Sequence, residues 1–254
     1  MRSTTLSKNR KPTTKSTSSS RSPRNQRVMD EPSINVVKFD RNVRKVEIIP
    51  RNTAQETFVE ALQDESKRIV FAVGPAGTGK SYLSTLSAIK ALKAGLVERI
   101  IIVRPAVGAE GENHGFLPGT LNEKLGVWVQ PIIDIFEEVY TKQDISKMVD
   151  DGIIELGSLM YLRGRSFKNT IVILDEAQNS LPSQMKLLLT RLGENCRAFV
   201  TGDLDQTDHR RDNGLSDFVK RLQSKNSEMI AVAEFGVEHI ERDPIVAEVL
   251  RIYE

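Results

Sequence analysis

The sequence predicts an α/β fold, a single parallel sheet flanked by helices, and three observations carry that expectation. Apolar residues gather in short β-type runs. The runs are continuous rather than alternating, which marks strands buried on both faces. Helical patterns separate them, and strand–helix–strand alternation builds parallel sheets.

Taken in order, Ala54–Glu65 is expected to be a helix, and Ile69–Val73 a strand running into Gly74. Ser81–Lys93 follows as a helix, with Leu83, Leu86, Ile89, Ala91 and Leu92 at helical spacing. Arg99–Val103 is the next strand. Residues 105–168 exceed an ordinary strand-to-helix connection and read as an insertion with its own helix, Leu121–Tyr140. Thr170–Leu174, Arg197–Thr201 and Met229–Phe235 are the remaining strands. Further helices are expected at Pro182–Leu192, Leu215–Gln223 and Pro244–Tyr253. The expected organisation is a tail at 1–29, a linker or edge strand at 30–50, and one domain over 51–254.

With 39% hydrophobic and 28% charged residues in 254, the composition is that of a soluble globular protein. No apolar stretch approaches the roughly 20 residues needed to cross a bilayer, and no apolar core of a secretory signal is present. Cys196 is the only cysteine, which excludes an intrachain disulfide and a cysteine zinc site; it is expected to be a small buried residue in a strand. His114, His209 and His239 lack metal-ligand spacing. A reducing, cytoplasmic location is the expectation.

The formal charge of +2 hides an asymmetry. Residues 1–29 hold eight Lys or Arg, twelve Ser or Thr and no acid, so the remainder has 28 basic against 34 acidic residues, a net of −6. The tail has too few apolar residues to bury and is expected to be disordered. Three readings stay open for it: a non-specific contact with phosphate backbones, a solubilising tail, or a transit segment without an amphipathic stripe.

Gly74-Pro-Ala-Gly-Thr-Gly-Lys-Ser81 matches G-x-x-x-x-G-K-[ST], between a buried strand and a helix as that motif requires. Gly74, Pro75, Ala76, Gly77, Thr78, Gly79, Lys80, Ser81 and Tyr82 are therefore the candidate nucleotide-binding residues. Glycines let backbone N–H groups form a nest for phosphate oxygens, and the helix start near Gly79 adds positive potential. Lys80 is expected to reach the β and γ phosphates, and the Ser81 hydroxyl to bind Mg²⁺. Further along, Ile171–Leu174 ends in Asp175 and Glu176. A parallel neighbour of the Gly74 strand would deliver that pair to the same sheet edge, where α/β folds bind ligands. Asp175 then holds Mg²⁺ and Glu176 polarises the attacking water. A plain acidic cap is the bland alternative. A carboxylate beside the metal ligand favours hydrolysis over transfer to a small acceptor.

These motifs, with Ile102-Val-Arg-Pro-Ala-Val107, Gly115-Phe-Leu-Pro-Gly119, Tyr161-Leu-Arg-Gly-Arg165, Leu174-Asp-Glu-Ala-Gln-Asn179, Leu189-Thr-Arg-Leu-Gly193, Thr201-Gly-Asp-Leu-Asp-Gln206 and Asn213-Gly-Leu215, resemble the PhoH-like ATPases over about residues 50–254. The resemblance implies a P-loop NTPase with a RecA-like core similar to the first motor domain of superfamily 1 helicases. Ser81 stands where Thr is usual. Gln55 resembles the helicase glutamine that reads adenine, implying ATP; a surface helix Gln is the alternative. Asp203 and Gln206 resemble the γ-phosphate sensor, or cap a turn. Arg163, Arg165, Arg191 and Arg242 are candidate phosphate or nucleic-acid contacts, each with a structural role as its alternative. Trp128 and Phe116 could stack on bases; Trp128, in an amphipathic stretch, is expected to pack in the core.

The expected function is Mg²⁺-dependent ATP hydrolysis with Lys80, Glu176 and Gln206 as the catalytic set, coupled to RNA or single-stranded nucleic acid and not to a membrane. One RecA-like domain leaves the arginine of a helicase site to a neighbouring subunit. That predicts a homo-oligomer, such as a hexameric ring, with Arg191 or Arg242 in trans. A nucleotide-timed regulatory protein and, behind it, a P-loop kinase are the competing classes.

Overall fold

The computed structural model describes residues 45–105, 121–162, 164–204, 213–241, 245 and 252. The expected tail at 1–29, Phe116, Arg163, Gln206, His114, His209 and Arg242 lie outside them, as does nearly all of the helix expected at Pro244–Tyr253, and the side chain of Trp128 is likewise undescribed. Among the described residues no helix is long and apolar enough to cross a membrane.

Helix α1 (Thr53–Gln63) starts at Asn52, whose side chain accepts the N–H of Gln55 and so satisfies one orphan donor of the first turn. Strand β1 (Ile69–Val73) leads through the glycine-rich loop into α2 (Lys80–Lys93), and β2 (Arg99–Arg104) follows. After the insertion come β4 (Thr170–Leu174), α5 (Pro182–Leu189), β5 (Cys196–Gly202), α6 (Gly214–Gln223) and β6 (Ile230–Glu234). These elements stand within one to three residues of expectation.

The insertion is richer than a single helix. It holds α3 (Leu121–Glu137), α4 (Lys142–Asp150) and β3 (Ile154–Ser158), and β3 pairs in parallel with β2 as an edge of the main sheet. It was missed because Ile154–Ser158 has only two large apolar residues; the sheet edge leaves one face less demanding. Thr141 caps α4 in a reciprocal capping box with Asp144. Residues 45–50 form no strand, though Val46 and Ile48 pack against the core.

All pairings are parallel, in the order β3-β2-β4-β5-β1-β6. Alternate residues of the central strands feed two separate cores. Val70, Ile100, Ile102, Ile171, Ile173 and Phe199 face α1 to α4, while Phe71, Ile101, Val103, Val172, Leu174 and Val200 face α5 and α6. This two-sided burial is why the runs lack polar alternation. Cys196 is buried at the start of β5.

One placement corrects the sequence reading: β4 is not the neighbour of β1. Strand β5 lies between them, so Asp175 reaches the P-loop across an intervening strand. Apolar runs alone carry no order within a sheet. The outcome at the edge is unchanged, because parallel strands all end on the same side.

At the opposite edge Arg197 locks α1 to the sheet. Its guanidinium donates to the carbonyls of Ala61, Leu62, Asp64 and Lys67, and it lies 5.1 Å from the Phe199 ring centroid. Those carbonyls sit at and just beyond the C-terminal end of α1, where a cation also meets the negative end of the helix dipole. Arg197→Ala is expected to destabilise the fold by roughly 2–3 kcal/mol, since it strips a charged donor from buried carbonyls. Urea denaturation measures it, and nucleotide affinity should not change.

Candidate functional site

The loop 74–79 is shaped by its glycines. Gly74 has φ +140°, and a Cβ there would lie 2.1 Å from the carbonyl oxygen of Phe235. Phe235 is the first residue after β6, and its N–H donates to Val73 O at 2.8 Å. The same C-terminal segment returns to the loop when Glu241 N–H donates to Gly77 O at 2.9 Å. Gly79, at φ +83°, begins α2 in a conformation closed to most side chains.

Gln55 braces this loop from α1. Its Nε2 donates to Thr78 O at 3.1 Å, and its Oε1 accepts the Arg51 N–H at 2.8 Å. Among the described residues one N–H and one lone pair of the amide are left over. Lys80 lies back along the loop, with Nζ donating to Gly74 O at 2.8 Å, Pro75 O at 2.6 Å and Thr78 Oγ1 at 3.2 Å. Tyr82 lines the cleft and donates its hydroxyl to Glu138 Oε2 at 2.9 Å. Burial first, and then this carboxylate, raise its pKa above the ordinary tyrosine value.

The Asp-Glu pair faces the loop. Asp175, 2% exposed, accepts Ser81 Oγ–H and Thr201 Oγ1–H on Oδ1, each at 2.6 Å. Its Oδ2 accepts Arg104 Nε at 3.0 Å and Nη2 at 2.7 Å. Glu176 has φ +55°, a left-handed conformation that costs a non-glycine residue about 1–3 kcal/mol. Its Oε2 accepts Gln178 Nε2 at 2.6 Å, and Gln178 Oε1 accepts the Asp203 N–H at 3.1 Å. One amide thus joins the end of β4 to the end of β5. A cleft of about 250 Å³ lies between Gly77, Lys80, Ser81, Asp175, Glu176 and Asp203.

Loop glycines, Lys80, Ser81, Asp175, Glu176 and Asp203 therefore come together. The donor set fits a magnesium–nucleotide: Ser81 Oγ and a carboxylate oxygen already sit 2.6 Å apart, and the glycine-rich loop and Lys80 line the same cleft. Among the described residues no group of three or more His, Cys, Asp or Glu could hold a metal alone.

Two candidate arginines lie elsewhere. Arg165 forks onto Glu155 near the start of β3, Nη2 meeting Oε2 at 2.8 Å, and lies 5.5 Å from the Phe167 ring centroid. The guanidinium hydrogen bond holds the Glu155 pKa below the usual carboxylate value. Arg191 accepts Phe167 N–H on its carbonyl, at the edge where β4 and β5 begin. Neither is among the residues that line the cleft of its own chain; both follow helical turns that lead back toward the edge where β4 and β5 begin. His239 accepts the Gly236 N–H on Nδ1 in a local turn.

Three residues at the site were not singled out from sequence: Arg104, Thr201 and Gln178. The signal for the first two was present. Arg104 ends β2 and Thr201 is the last residue but one of β5, both strands parallel to β4, and such ends arrive at the same edge.

Comparison with known proteins adds the lineage. The family described as PhoH-like protein matches residues 47–254. The PhoH-like protein of Bacillus subtilis (strain 168) is 38% identical over 216 residues, 84% of this chain and 66% of that one. The PhoH-like protein of Mycobacterium leprae (strain TN) is 41% identical over 206 residues, covering 80% and 58% respectively. Protein PhoH of Escherichia coli (strain K12) is 39% identical over 216 residues, covering 81% and 58%. The chain thus spans 58–66% of the length of these relatives. Among solved structures, the Sulfolobus solfataricus SWI2/SNF2 ATPase core in complex with dsDNA aligns with a TM-score of 0.41 at 17% identity, over 61% of this chain and 32% of that one. That likeness is too slight to bear on function.

Two substitutions separate the site from its surroundings. Gly74→Ala forces a Cβ into the Phe235 carbonyl and is expected to cost about 2 kcal/mol or more in stability and to weaken nucleotide binding; thermal unfolding and a fluorescent nucleotide read both. Arg165→Ala should cost about 1 kcal/mol, the scale of a partly exposed ion pair, and leave nucleotide affinity as it was.

Proposed function

The chain belongs to the PhoH-like protein family and has a P-loop NTPase fold, and from that premise we propose that it binds ATP with Mg²⁺ and hydrolyses it, in a cycle coupled to RNA or single-stranded nucleic acid. One observation carries the reading: Ser81 Oγ donates to Asp175 Oδ1 at 2.6 Å, so the two motifs needed for a metal–triphosphate share one point in space.

The residues have separable tasks. Lys80 would exchange its loop carbonyls for the β and γ phosphate oxygens, a move of one flexible side chain. Ser81 and Asp175 would hold Mg²⁺, which neutralises developing phosphate charge when bound. Glu176, with its side chain 48% exposed to the cleft, would orient water and accept its proton. Gln178 would carry the position of Glu176 to Asp203. Preference for adenine is proposed on the uncommitted N–H and lone pair of Gln55. Coupling to nucleic acid is supported by the helicase-like motifs and the basic composition of residues 1–29. Arg191 could complete a triphosphate site only on another copy of the chain, so a homo-oligomer remains part of the proposal.

ATP turnover with and without single-stranded RNA and DNA tests this. Lys80→Ala should abolish nucleotide binding. Glu176→Gln should bind ATP but turn it over roughly 100-fold more slowly, the scale of losing a general base. Turnover unaffected by Glu176→Gln would remove that assignment. ATPase activity indifferent to every nucleic acid would favour a nucleotide-timed switch instead.

A further inference from the structure

Arg104 stands at the metal side of the site with no part in the reaction outlined above. It is the last residue of β2, and β2 borders β4 on the side away from β5. The two oxygens of Asp175 are therefore divided by geometry. Oδ1 meets the hydroxyls of Ser81 and Thr201, and Oδ2 meets the guanidinium through Nε and Nη2. Nη2 also lies 3.5 Å from Glu176 Oε1, so one arginine addresses both carboxylates. The side chain of Arg104 is 19% exposed, which keeps its charge poorly screened by water.

Two facts bear on how a metal could enter. Magnesium demands six oxygens, and protein sites of this kind supply only one or two, leaving the rest to phosphate and water. Here the described groups that meet at Asp175 are two hydroxyls and one carboxylate, and Glu176 and Asp203 line the same cleft. Among the described residues no group of three or more His, Cys, Asp or Glu is arranged to hold a metal by itself. In addition, the carboxylate is already neutralised by a fixed positive charge at hydrogen-bond distance. A divalent cation arriving alone would gain few ligands and meet the guanidinium across a single carboxylate. Arriving with a triphosphate, it brings its own oxygens and an excess of negative charge, which outweighs that repulsion.

We propose that Arg104 is a positioning residue that makes magnesium entry conditional on the triphosphate, by withholding Asp175 from free metal ions while keeping Glu176 beside it. The proposal rests on the Mg·ATP reading above and adds to it the order of loading: the nucleotide must carry the metal in.

Manganese is the probe, followed by the electron paramagnetic resonance of the free ion, on the full chain with and without ATP and against the same ATP without protein, which accounts for the manganese that ATP takes up by itself. Wild type should bind Mn²⁺ appreciably only with nucleotide. Arg104→Gln should take nucleotide-free Mn²⁺ at least about tenfold more tightly, because removing a unit charge a few ångströms from a divalent ion is worth that much even at partial screening. Adding Asp175→Asn should cancel the gain, and Arg104→Lys, which keeps the charge, should stay near wild type. Folded Arg104→Gln that binds nucleotide-free Mn²⁺ no better than wild type would overturn the proposal. So would wild type that binds ATP yet holds Mn²⁺ equally well with and without it, a result needing no variant. Failure of wild type to bind ATP would instead remove the function proposed above, while the nucleotide-free comparison still decides the role of Arg104.

Discussion

The buried carboxylate of Asp175 is the point on which the site depends. A carboxylate 2% exposed cannot be left without partners, because desolvating it costs several kcal/mol. Its partners come from three directions: Ser81 at the start of α2, Thr201 in β5 and Arg104 in β2. Satisfying one charge therefore fixes the relation between the P-loop helix and three strands. The continuous apolar runs make that possible, since only a sheet packed on both faces holds its strand ends rigidly enough to present groups at hydrogen-bond distance.

The loop itself is held from outside as well as by its own glycines. Gln55 reaches Thr78 from α1, and the segment after β6 reaches Gly74 and Gly77 through Phe235 and Glu241. Asn52 both caps α1 and donates to Glu241 Oε1 at 3.2 Å, so the two outer braces also touch each other. Helix α1 and the segment after β6 thus converge on one turn. A phosphate cradle of backbone N–H groups works only if its shape exists before the ligand arrives, and these braces supply that shape.

Much of this was legible in the residues. The P-loop, its strand and its helix follow from local spacing, and Asp175 and Glu176 follow from a strand that ends in two acids. The order of strands was not legible, because Ile69–Val73, Thr170–Leu174 and Arg197–Thr201 are all short, mostly apolar runs and parallel pairing leaves no local mark of its neighbour. Strand β3 was hidden because an edge strand needs less apolar surface than a central one. Arg165 was left open between two readings for a related reason: a guanidinium in a Gly-rich motif looks the same whether its fork meets a phosphate or Glu155, and the fold places Glu155 beside it.

Glu176 shows how the site is tuned beyond its motif. Its left-handed backbone is a cost that a glycine would avoid, yet glycine there would remove the carboxylate. The strain is sustained by hydrogen bonds on both oxygens, from Gln178 at 2.6 Å and from Arg104 at 3.5 Å. The same Gln178 side chain accepts from the backbone of Asp203, and a Cβ on Gly202 would approach its Oε1 to 2.7 Å. The end of β5 must therefore carry a glycine for Gln178 to lie flat across it. Any movement of β5 relative to β4 would shift that amide and turn the Glu176 carboxylate with it, so the two strand ends are coupled through one side chain.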